Sequence, residues 1–326
     1  MSVAAVPVPL MTSREKAMRR LRRGDIIFHN ITFVAAVFVL VMLSAIGISL
    51  IIGAWPAMQA FGFGFLASES WNPVTERFGG LAPIYGTLVT SFIAMLFAVP
   101  IGIGIAVFLT ESCPQVLRRP IGTAIELLAG IPSIIFGIWG LFVLAPFLQS
   151  TVQPVLISTF QSVPLLSSLF EGPPYGIGML TASLILAIMV LPFVTAVSRD
   201  VFATVPPVLK EAAYGLGCTT WEVVRNIVIP HTRVGIIGGV MLGLGRALGE
   251  TMAVTFVIGN AHKITPSLLA PGTTISATIA NEFTEAVGDL YTSSLVLLGL
   301  ILFVITLVVL AAARYLLWRL EQRAKG

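Results

Sequence analysis

The sequence predicts an all-α, polytopic membrane protein with six transmembrane helices, and three observations lead to this fold class. Of the 326 residues, 56% are hydrophobic and 10% are charged, and the mean hydropathy is +0.97. A soluble domain carries about 25% charged residues, so this chain has too little charge to cover a surface in water. Six apolar runs have the length of about 20 residues that crosses a bilayer, and Lys and Arg collect in alternate connecting segments. The composition excludes an ordinary cytosolic enzyme, a disordered protein and a nucleic-acid-binding protein.

The six predicted spans follow one another along the chain. They are residues 31–52, 87–109, 121–147, 177–197, 235–258 and 292–317. The third run is long for one span and contains Pro132, which predicts a tilted or kinked helix, with a transport hinge as the alternative. We expect residues 1–30 to form an N-terminal segment, 31–317 the membrane domain and 318–326 a C-terminal tail.

The distribution of basic residues predicts the orientation. Apart from Arg77, Lys263 and Arg246, every Lys and Arg lies before the first span, between spans two and three, between spans four and five, or at the C-terminal end. Because basic residues are retained on the cytoplasmic side, both termini are expected to face the cytoplasm.

Motifs for catalysis or cofactor binding are missing from the sequence. No lysine follows a Gly, as the lysine of a phosphate-cradling P-loop must. The histidines form no HExxH pattern, and Cys113 and Cys218 are interpreted as small apolar residues without a redox role. We therefore expect no catalytic residue, metal ligand or bound cofactor, and energy for uphill transport would come from a gradient or another subunit.

The connection between spans four and five, residues 198–234, is the longest cytoplasmic segment within the predicted membrane domain. Residues 211–230 predict a helix–turn–helix knuckle. Gly215 and Gly217 permit a sharp break, Thr219 or Thr220 can cap a second short helix, and Pro230 is expected to end it. Such a knuckle would project below the membrane towards a partner.

This connection resembles the permease subunits of ABC importers. The shared pattern is Glu211-Ala212-Ala213, Gly217, Ile227 and Pro230, with Ile229 where Leu is usual. The resemblance implies a coupling helix that docks in a groove of an ATPase subunit. It further implies that Glu211 and Gly217 shape the turn and that Trp221 and nearby side chains contact the partner. The alternative is an amphipathic linker that matches the pattern by chance.

Arg246 and Glu250 are charged residues inside the fifth predicted span. A charge at the bilayer centre costs on the order of 3 kcal/mol, which disfavours a lipid-facing position for Arg246. Residues four apart share one helical face, so Arg246 and Glu250 are expected to pair. Gly235, Gly239 and Gly243 predict close packing of another helix against this span.

Two interpretations of this pair remain open. It is either a buried ion pair that fixes helix packing or an anion site lining a translocation pathway. In the second, the planar fork of Arg246 binds a tetrahedral oxyanion through two parallel hydrogen bonds, and Glu250 neutralises Arg246 when substrate is absent. Glu126, near the start of span three, is either an interface-level acid or a pathway residue.

The segment Gly-Leu-Gly-Arg-Ala-Leu-Gly-Glu-Thr-Met-Ala-Val at 243–254 closely resembles the fifth-span signature of the Pst-type phosphate importers. Other matching segments are Trp71–Pro73, Tyr85–Ser91, Phe108–Glu111 and Glu126–Ser133, so the resemblance to PstC-type permeases covers most of residues 15–320. The departures are Ser112-Cys113 after Glu111, and Ile134-Ile135-Phe136 where Val-Val-Tyr is commoner.

The resemblance implies a bacterial inner-membrane permease with the type I ABC importer (MetI-like) fold that imports inorganic phosphate. It also implies a homologous PstA-type permease, two PstB-type ATPase subunits that use ATP, and a PstS-type phosphate-binding protein as partners. The alternatives are a permease for another oxyanion, such as sulfate, molybdate or phosphonate, and a gradient-driven anion carrier or an anion channel.

Overall fold

The computed structural model describes the backbone of residues 13–325, and it describes the side chains of residues 25–164, 166–319 and 322. The first 12 residues of the predicted segment 1–30 therefore lie outside the described residues. The chain divides into two units, residues 1–52 and 53–326.

The described residues are almost entirely helical. In chain order the α-helices are α1 (Ser13–Phe61), α2 (Gly64–Ala67), α3 (Leu81–Val107), α4 (Gln115–Ala129), α5 (Ser133–Trp139), α6 (Ala145–Phe147), α7 (Gln153–Phe160), α8 (Pro164–Ser167), α9 (Met179–Phe202), α10 (Pro207–Gly215), α11 (Thr220–Val223), α12 (Ile229–Leu248), α13 (Met252–Ile258), α14 (Ile275–Glu282) and α15 (Asp289–Lys325). Within these residues, π-helical turns occur at Phe108–Ser112, Gly140–Leu144, Leu148–Val152 and Val224–Val228.

Six helical rods in the described chain are long and apolar enough to cross a membrane. They are Asp25–Phe61, Leu81–Ser112, Ser133–Phe160, Met179–Phe202, Thr220–Leu248 and Asp289–Arg319. The predicted number of spans is confirmed, and so is the all-α class. The first unit contains most of the first rod, whose side chains from Asp25 to Ile52 are nearly all exposed.

The predicted third span, residues 121–147, is wrong in its limits. α4 ends at Ala129, and α5 begins at Ser133, so Pro132 separates two helices rather than kinking one. Proline has no N–H to donate and disfavours helical backbone at the residue before it, which explains the break. The span is instead Ser133–Phe160 and extends beyond residue 147 into the predicted connection between spans three and four.

The predicted limits of the fifth span, residues 235–258, are also wrong. The rod runs from Thr220 to Leu248 and passes through Pro230, so this proline does not end a short helix. The π-helical turn Val224–Val228 directly precedes Ile229 and Pro230, and such a turn accommodates the missing N–H within a continuous rod.

The core of the second unit is built around α9. In the most apolar stretch of this helix, 67% of the residues are buried, and α3 and α12 both pack against the helix. A Cβ on Gly239 would lie 2.9 Å from Val197 of α9, and one on Gly243 would lie 2.9 Å from Val190. The predicted glycine contact is therefore confirmed: the stripe lets α9 and α12 approach closely, and this fixes the position of the side chains at the end of α12.

Candidate functional site

Arg246 lies in the last turn of α12 and faces an aromatic ring. Its guanidinium carbon is 4.6 Å from the centre of the Phe193 ring, and Phe193 lies well inside α9. A guanidinium over an aromatic face is held by cation–π attraction. The Nε atom is buried without a hydrogen-bond partner. No carboxylate within the described part of the chain forms an ion pair with Arg246.

The predicted pair between Arg246 and Glu250 is wrong. α12 ends at Leu248 and α13 starts at Met252, so the two residues do not share a continuous helix and the four-residue relation is lost. The Glu250 carboxylate instead accepts a hydrogen bond from the amide of Ala253, at 3.3 Å, in the first turn of α13. A carboxylate is favourable there because the first amides of a helix lack partners within the helix.

The predicted knuckle is confirmed in its first half. α10 runs to Gly215, and the chain breaks at Gly217, whose backbone is left-handed with a φ of 88°. The amide of Gly217 donates to the carbonyl of Tyr214, at 3.0 Å, and the amide of Cys218 donates to that of Ala213, at 3.1 Å. These two bonds make a Schellman motif, in which glycine is favoured because the left-handed backbone penalises a Cβ.

A capping box starts the second half of the knuckle. The Thr219 side chain accepts from the amide of Glu222, and the Glu222 carboxylate accepts from the amide of Thr219. This selects Thr219 from the two predicted caps. Two mutual bonds satisfy amides that would otherwise lack partners, so the sequence itself fixes where the rod to α12 begins.

The tip of the knuckle presents a mainly apolar surface. Leu216 is 87% exposed and Trp221 is 64% exposed, and Tyr214, close to them in the chain, is exposed as well. Ala212 is exposed, whereas Ala213 is buried against Val223 and its neighbours. An exposed apolar patch on a rigid turn is typical of a contact surface for another protein.

Glu211 is exposed at the same surface. Its carboxylate makes no hydrogen bond or ion pair with any described residue, so the shape of the turn depends on Gly217 and not on a contact of Glu211. Glu126 pairs with Arg199 of α9 at 2.8 Å, with 53% of its own side chain exposed. This position agrees with the interface-level interpretation of Glu126.

A second polar cluster lies at the predicted outer end of the bundle, and sequence reasoning missed it. The Glu282 carboxylate accepts hydrogen bonds from Trp71 Nε1 at 2.6 Å and from Tyr291 Oη at 2.7 Å. His262 Nε2 lies 2.8 Å from the other oxygen, and its ring stacks on Trp71 with centroids 4.9 Å apart. In the sequence, Trp71 stands out only as part of a segment that matches PstC-type permeases, and the histidines form no HExxH pattern. Trp71 and Glu282 are 211 residues apart, so no local pattern signals the cluster.

Electrostatics at Glu282 follow from this environment. Burial raises the pKa of the carboxyl, but the hydrogen bonds from His262, Tyr291 and Trp71 outweigh burial and hold the pKa below its ordinary value. The carboxylate is therefore ionised at neutral pH and ties the loop after α2 to the loop after α13.

Comparisons with known proteins agree with this architecture. A family model described as the binding-protein-dependent transport system inner membrane component matches residues 98–322. The phosphate transport system permease protein PstC of Mesorhizobium japonicum is 70% identical over 312 residues, which cover 96% of this chain and 95% of that protein. The PstC protein of Pasteurella multocida is 56% identical over 299 residues, which cover 92% of this chain and 93% of that protein.

Solved structures show the same fold. A crystal structure of a bacterial ABC transporter involved in alginate import has a TM-score of 0.61 at 18% identity, over 94% of this chain and 99% of that one. A second crystal structure is of a bacterial alginate ABC transporter in complex with an alginate pentasaccharide-bound periplasmic protein. It has a TM-score of 0.60 at 18% identity, over 91% of this chain and 96% of that one. The type I ABC importer (MetI-like) permease fold is thus confirmed. The chain belongs to the family of binding-protein-dependent transport system inner membrane components, within its PstC group of multi-pass permeases.

Proposed function

We propose that this chain is a transmembrane permease subunit of an ATP-driven importer of inorganic phosphate. The observation that carries the proposal is the guanidinium of Arg246, which lies inside the helix bundle and has no carboxylate partner among the described residues. A permanently protonated planar group forms two parallel hydrogen bonds with a tetrahedral oxyanion. The relatives named as phosphate transport permeases support phosphate as that anion.

In this proposal Arg246 and Glu250 line the translocation pathway with different roles. Arg246 attracts and orients the anion, with its guanidinium positioned by the Phe193 ring. Glu250 holds the break between α12 and α13 through the amide of Ala253. It also supplies a negative charge near the pathway, which opposes tight trapping of a phosphate anion and so favours its release.

The 198–234 connection is proposed to couple this pathway to ATP hydrolysis. Glu211, Ala212, Ala213, Gly217 and Trp221 would form the surface that docks on an ATPase subunit. The exposed apolar side chains at the tip support this assignment, because desolvating them on a partner is favourable. ATP is hydrolysed by that partner, and we propose that this chain binds no cofactor or metal.

The proposed assembly places both termini in the cytoplasm, with 1–30 and 318–326 flanking the membrane domain 31–317. A PstA-type permease would complete the pathway, two PstB-type ATPases would bind below, and a PstS-type protein would deliver phosphate from outside. ATP binding closes the ATPases, moves the knuckles and opens the permeases outward. Hydrolysis then resets the inward state.

Uptake by the assembled complex tests the proposal. Proteoliposomes containing both permeases and the ATPases are supplied with the binding protein outside and ATP inside, and radiolabelled phosphate uptake is measured with sulfate, molybdate or a phosphonate as competitor. We expect ATP-dependent uptake that unlabelled phosphate suppresses and the other anions do not. Preferential competition by another oxyanion would reassign the substrate. Uptake that follows an ion gradient without ATP would instead identify a secondary carrier.

A further inference from the structure

Lys210 and Glu111 form a partly buried ion pair at the knuckle end of the bundle. Lys210 Nζ lies 2.6 Å from Glu111 Oε1, and the two side chains are 20% and 6% exposed. Lys210 belongs to α10 and directly precedes Glu211, whereas Glu111 lies in the π-helical turn Phe108–Ser112 that ends the second span. The pair therefore joins the knuckle to a membrane helix that is 99 residues away in sequence.

Both ends of this pair are fixed locally. Arg118 donates from Nη2 to the Thr110 carbonyl at 2.9 Å, which holds the end of the second span against the start of α4. On the knuckle, Ala213 packs in an apolar cluster that includes Ala106 of α3. The ion pair thus connects two segments that are rigid where it attaches.

Burial distinguishes this pair from the other cytoplasmic-end ion pairs of the described chain. Arg199 pairs with Glu126 and Asp200, but those carboxylate side chains are 53% and 70% exposed. Water weakens exposed pairs, so they restrain movement little. The Glu111 side chain is only 6% exposed, so separating this pair leaves its carboxylate uncompensated and largely away from water, which is unfavourable. Lys210 and Glu111 are therefore expected to move together.

The second span leads directly to the helices that hold Arg246. The backbone of Gly102 on α3 lies close to Val194 of α9, and a Cβ there would be 3.0 Å from it. The backbone of Gly243 on α12 lies close to Val190 and Val194 of the same helix. Interiors packed this closely have low compressibility and transmit strain, so a displacement of α3 is expected to reach α9 and α12.

We propose that the Lys210–Glu111 pair is the mechanical link between the Glu211–Gly217 turn and the second span. Through this link, displacement of the turn reaches the second span, and then α12 by way of α9. This inference rests on the proposed ATP-driven function. Both residues are positioning residues, since their role is to link the docking surface to the helices around Arg246. Loss of the pair is expected to uncouple ATP hydrolysis from transport while ATPase docking persists.

The test uses the complete complex in proteoliposomes. The variants are Glu111→Gln, the conservative Lys210→Arg, and the charge swap Glu111→Lys with Lys210→Glu. Asp200→Asn is the matched control, because it removes a carboxylate from an exposed pair at the same end. Each sample is assayed for recovery of the ATPase subunit, ATP hydrolysis, and phosphate uptake over a range of phosphate concentrations.

We expect Glu111→Gln to keep ATPase recovery and the apparent KM for phosphate, and to lower uptake per ATP hydrolysed by about fivefold or more, which is the lower end of ordinary coupling between sites. Lys210→Arg should keep the wild-type ratio, and the charge swap should restore part of it. An unchanged ratio of uptake to ATP hydrolysis in Glu111→Gln would overturn the proposed link. If that variant does not assemble, the charge swap becomes the test. An assembled charge swap with as little uptake per ATP as expected for the broken pair would equally overturn the proposal. Absence of ATP-dependent uptake in the wild-type complex would overturn the proposed function itself.

Discussion

At the scale of single residues, the guanidinium of Arg246 lies over the Phe193 ring and pairs with no carboxylate among the described residues. A charge placed this way inside a span is stabilised by cation–π attraction to the ring. The Arg–Glu pair that would have made the site a static packing element is not formed, because the helix ends between the two residues. The guanidinium therefore has hydrogen-bonding capacity left for a ligand.

Replacing Arg246 tests that capacity. Arg246→Gln keeps hydrogen-bond donors but removes the charge, so uptake at saturating phosphate should fall by at least about tenfold, as expected when a charge-assisted hydrogen bond is lost. Arg246→Lys keeps the charge without the planar fork and should give an intermediate rate. Uptake is measured in proteoliposomes that hold the assembled complex.

Arg119→Gln serves as the matched control, because Arg119 is exposed on α4. It should transport phosphate at the wild-type rate. Wild-type uptake by Arg246→Gln would rule out a pathway role for Arg246.

Glu282 is the second informative residue, and it gives a pH prediction. Its pKa in the folded protein is below the ordinary value, so its contribution to stability is present at neutral pH, where the carboxyl is ionised in both states. That contribution decreases as the pH falls below the ordinary value, about 4.5, and is lost once the pH passes the lowered folded pKa. The thermal midpoint of the detergent-solubilised protein should decrease over this window.

Glu282→Gln should lower the free energy of unfolding at pH 7 by about 2 kcal/mol, because three donors lose a charged acceptor. The variant should also show a smaller decrease than the wild type as the pH falls below about 4.5 and through the lowered folded pKa. Glu285→Gln, an exposed neighbour, is the control and should retain both the wild-type midpoint and its pH dependence. Equal pH dependence in Glu282→Gln and the wild type would contradict the assigned role.

At the scale of elements, the knuckle is specified by local chemistry. A Schellman motif ends α10, and a capping box starts α11 at Thr220. Both motifs use contacts between residues close in sequence, so the geometry of the tip does not depend on the rest of the fold. This explains why the turn is predicted correctly from the sequence while the position of Pro230 inside a rod is not.

Gly217→Ala should disturb the proposed docking surface. The φ of 88° places any Cβ in an unfavourable conformation, at a cost of about 1–3 kcal/mol. Recovery of the ATPase subunit with the permease should therefore fall severalfold, with membrane insertion unchanged. The measurement is co-purification from solubilised membranes.

Gly215→Ala provides the control, since Gly215 is helical and a Cβ there meets open space. It should retain the ATPase at the wild-type level. Equal recovery with Gly217→Ala and Gly215→Ala would show that the turn is not part of the docking surface.

At the scale of the whole molecule, orientation follows from charge distribution and is open to direct measurement. Leu216 and Val287 are each 87% exposed, and they lie on connections predicted to face opposite sides of the membrane. In a background with Cys113 and Cys218 replaced by Ser, an impermeant maleimide should label Leu216→Cys only in inverted vesicles. It should label Val287→Cys only in right-side-out vesicles, and the reverse pattern would invert the proposed topology.

Sequence periodicity and charge predict the number of spans correctly, but not all of their limits. The predicted starts of the third and fifth spans are wrong at prolines, where the outcome depends on the backbone next to the ring. Pro132 lies shortly after Gly130 and separates two helices, whereas Pro230 lies just after a π-helical turn and inside a rod. A single-residue rule cannot distinguish these cases, because the compensating hydrogen bonds are not properties of the proline.

The sequence by itself determined that this chain resides in lipid, crosses it six times, carries a capped turn between spans four and five, and has an arginine, Arg246, near the middle of its fifth predicted span. Each of these follows from composition or from residues near one another in the chain. Only the tertiary structure decided that Arg246 faces Phe193 instead of Glu250, that Lys210 meets Glu111, and that Glu282 gathers Trp71, His262 and Tyr291. Those contacts depend on where the helices end and on how closely they pack against α9. Burial and partners distant in the sequence therefore determine the environment of each of these charged side chains.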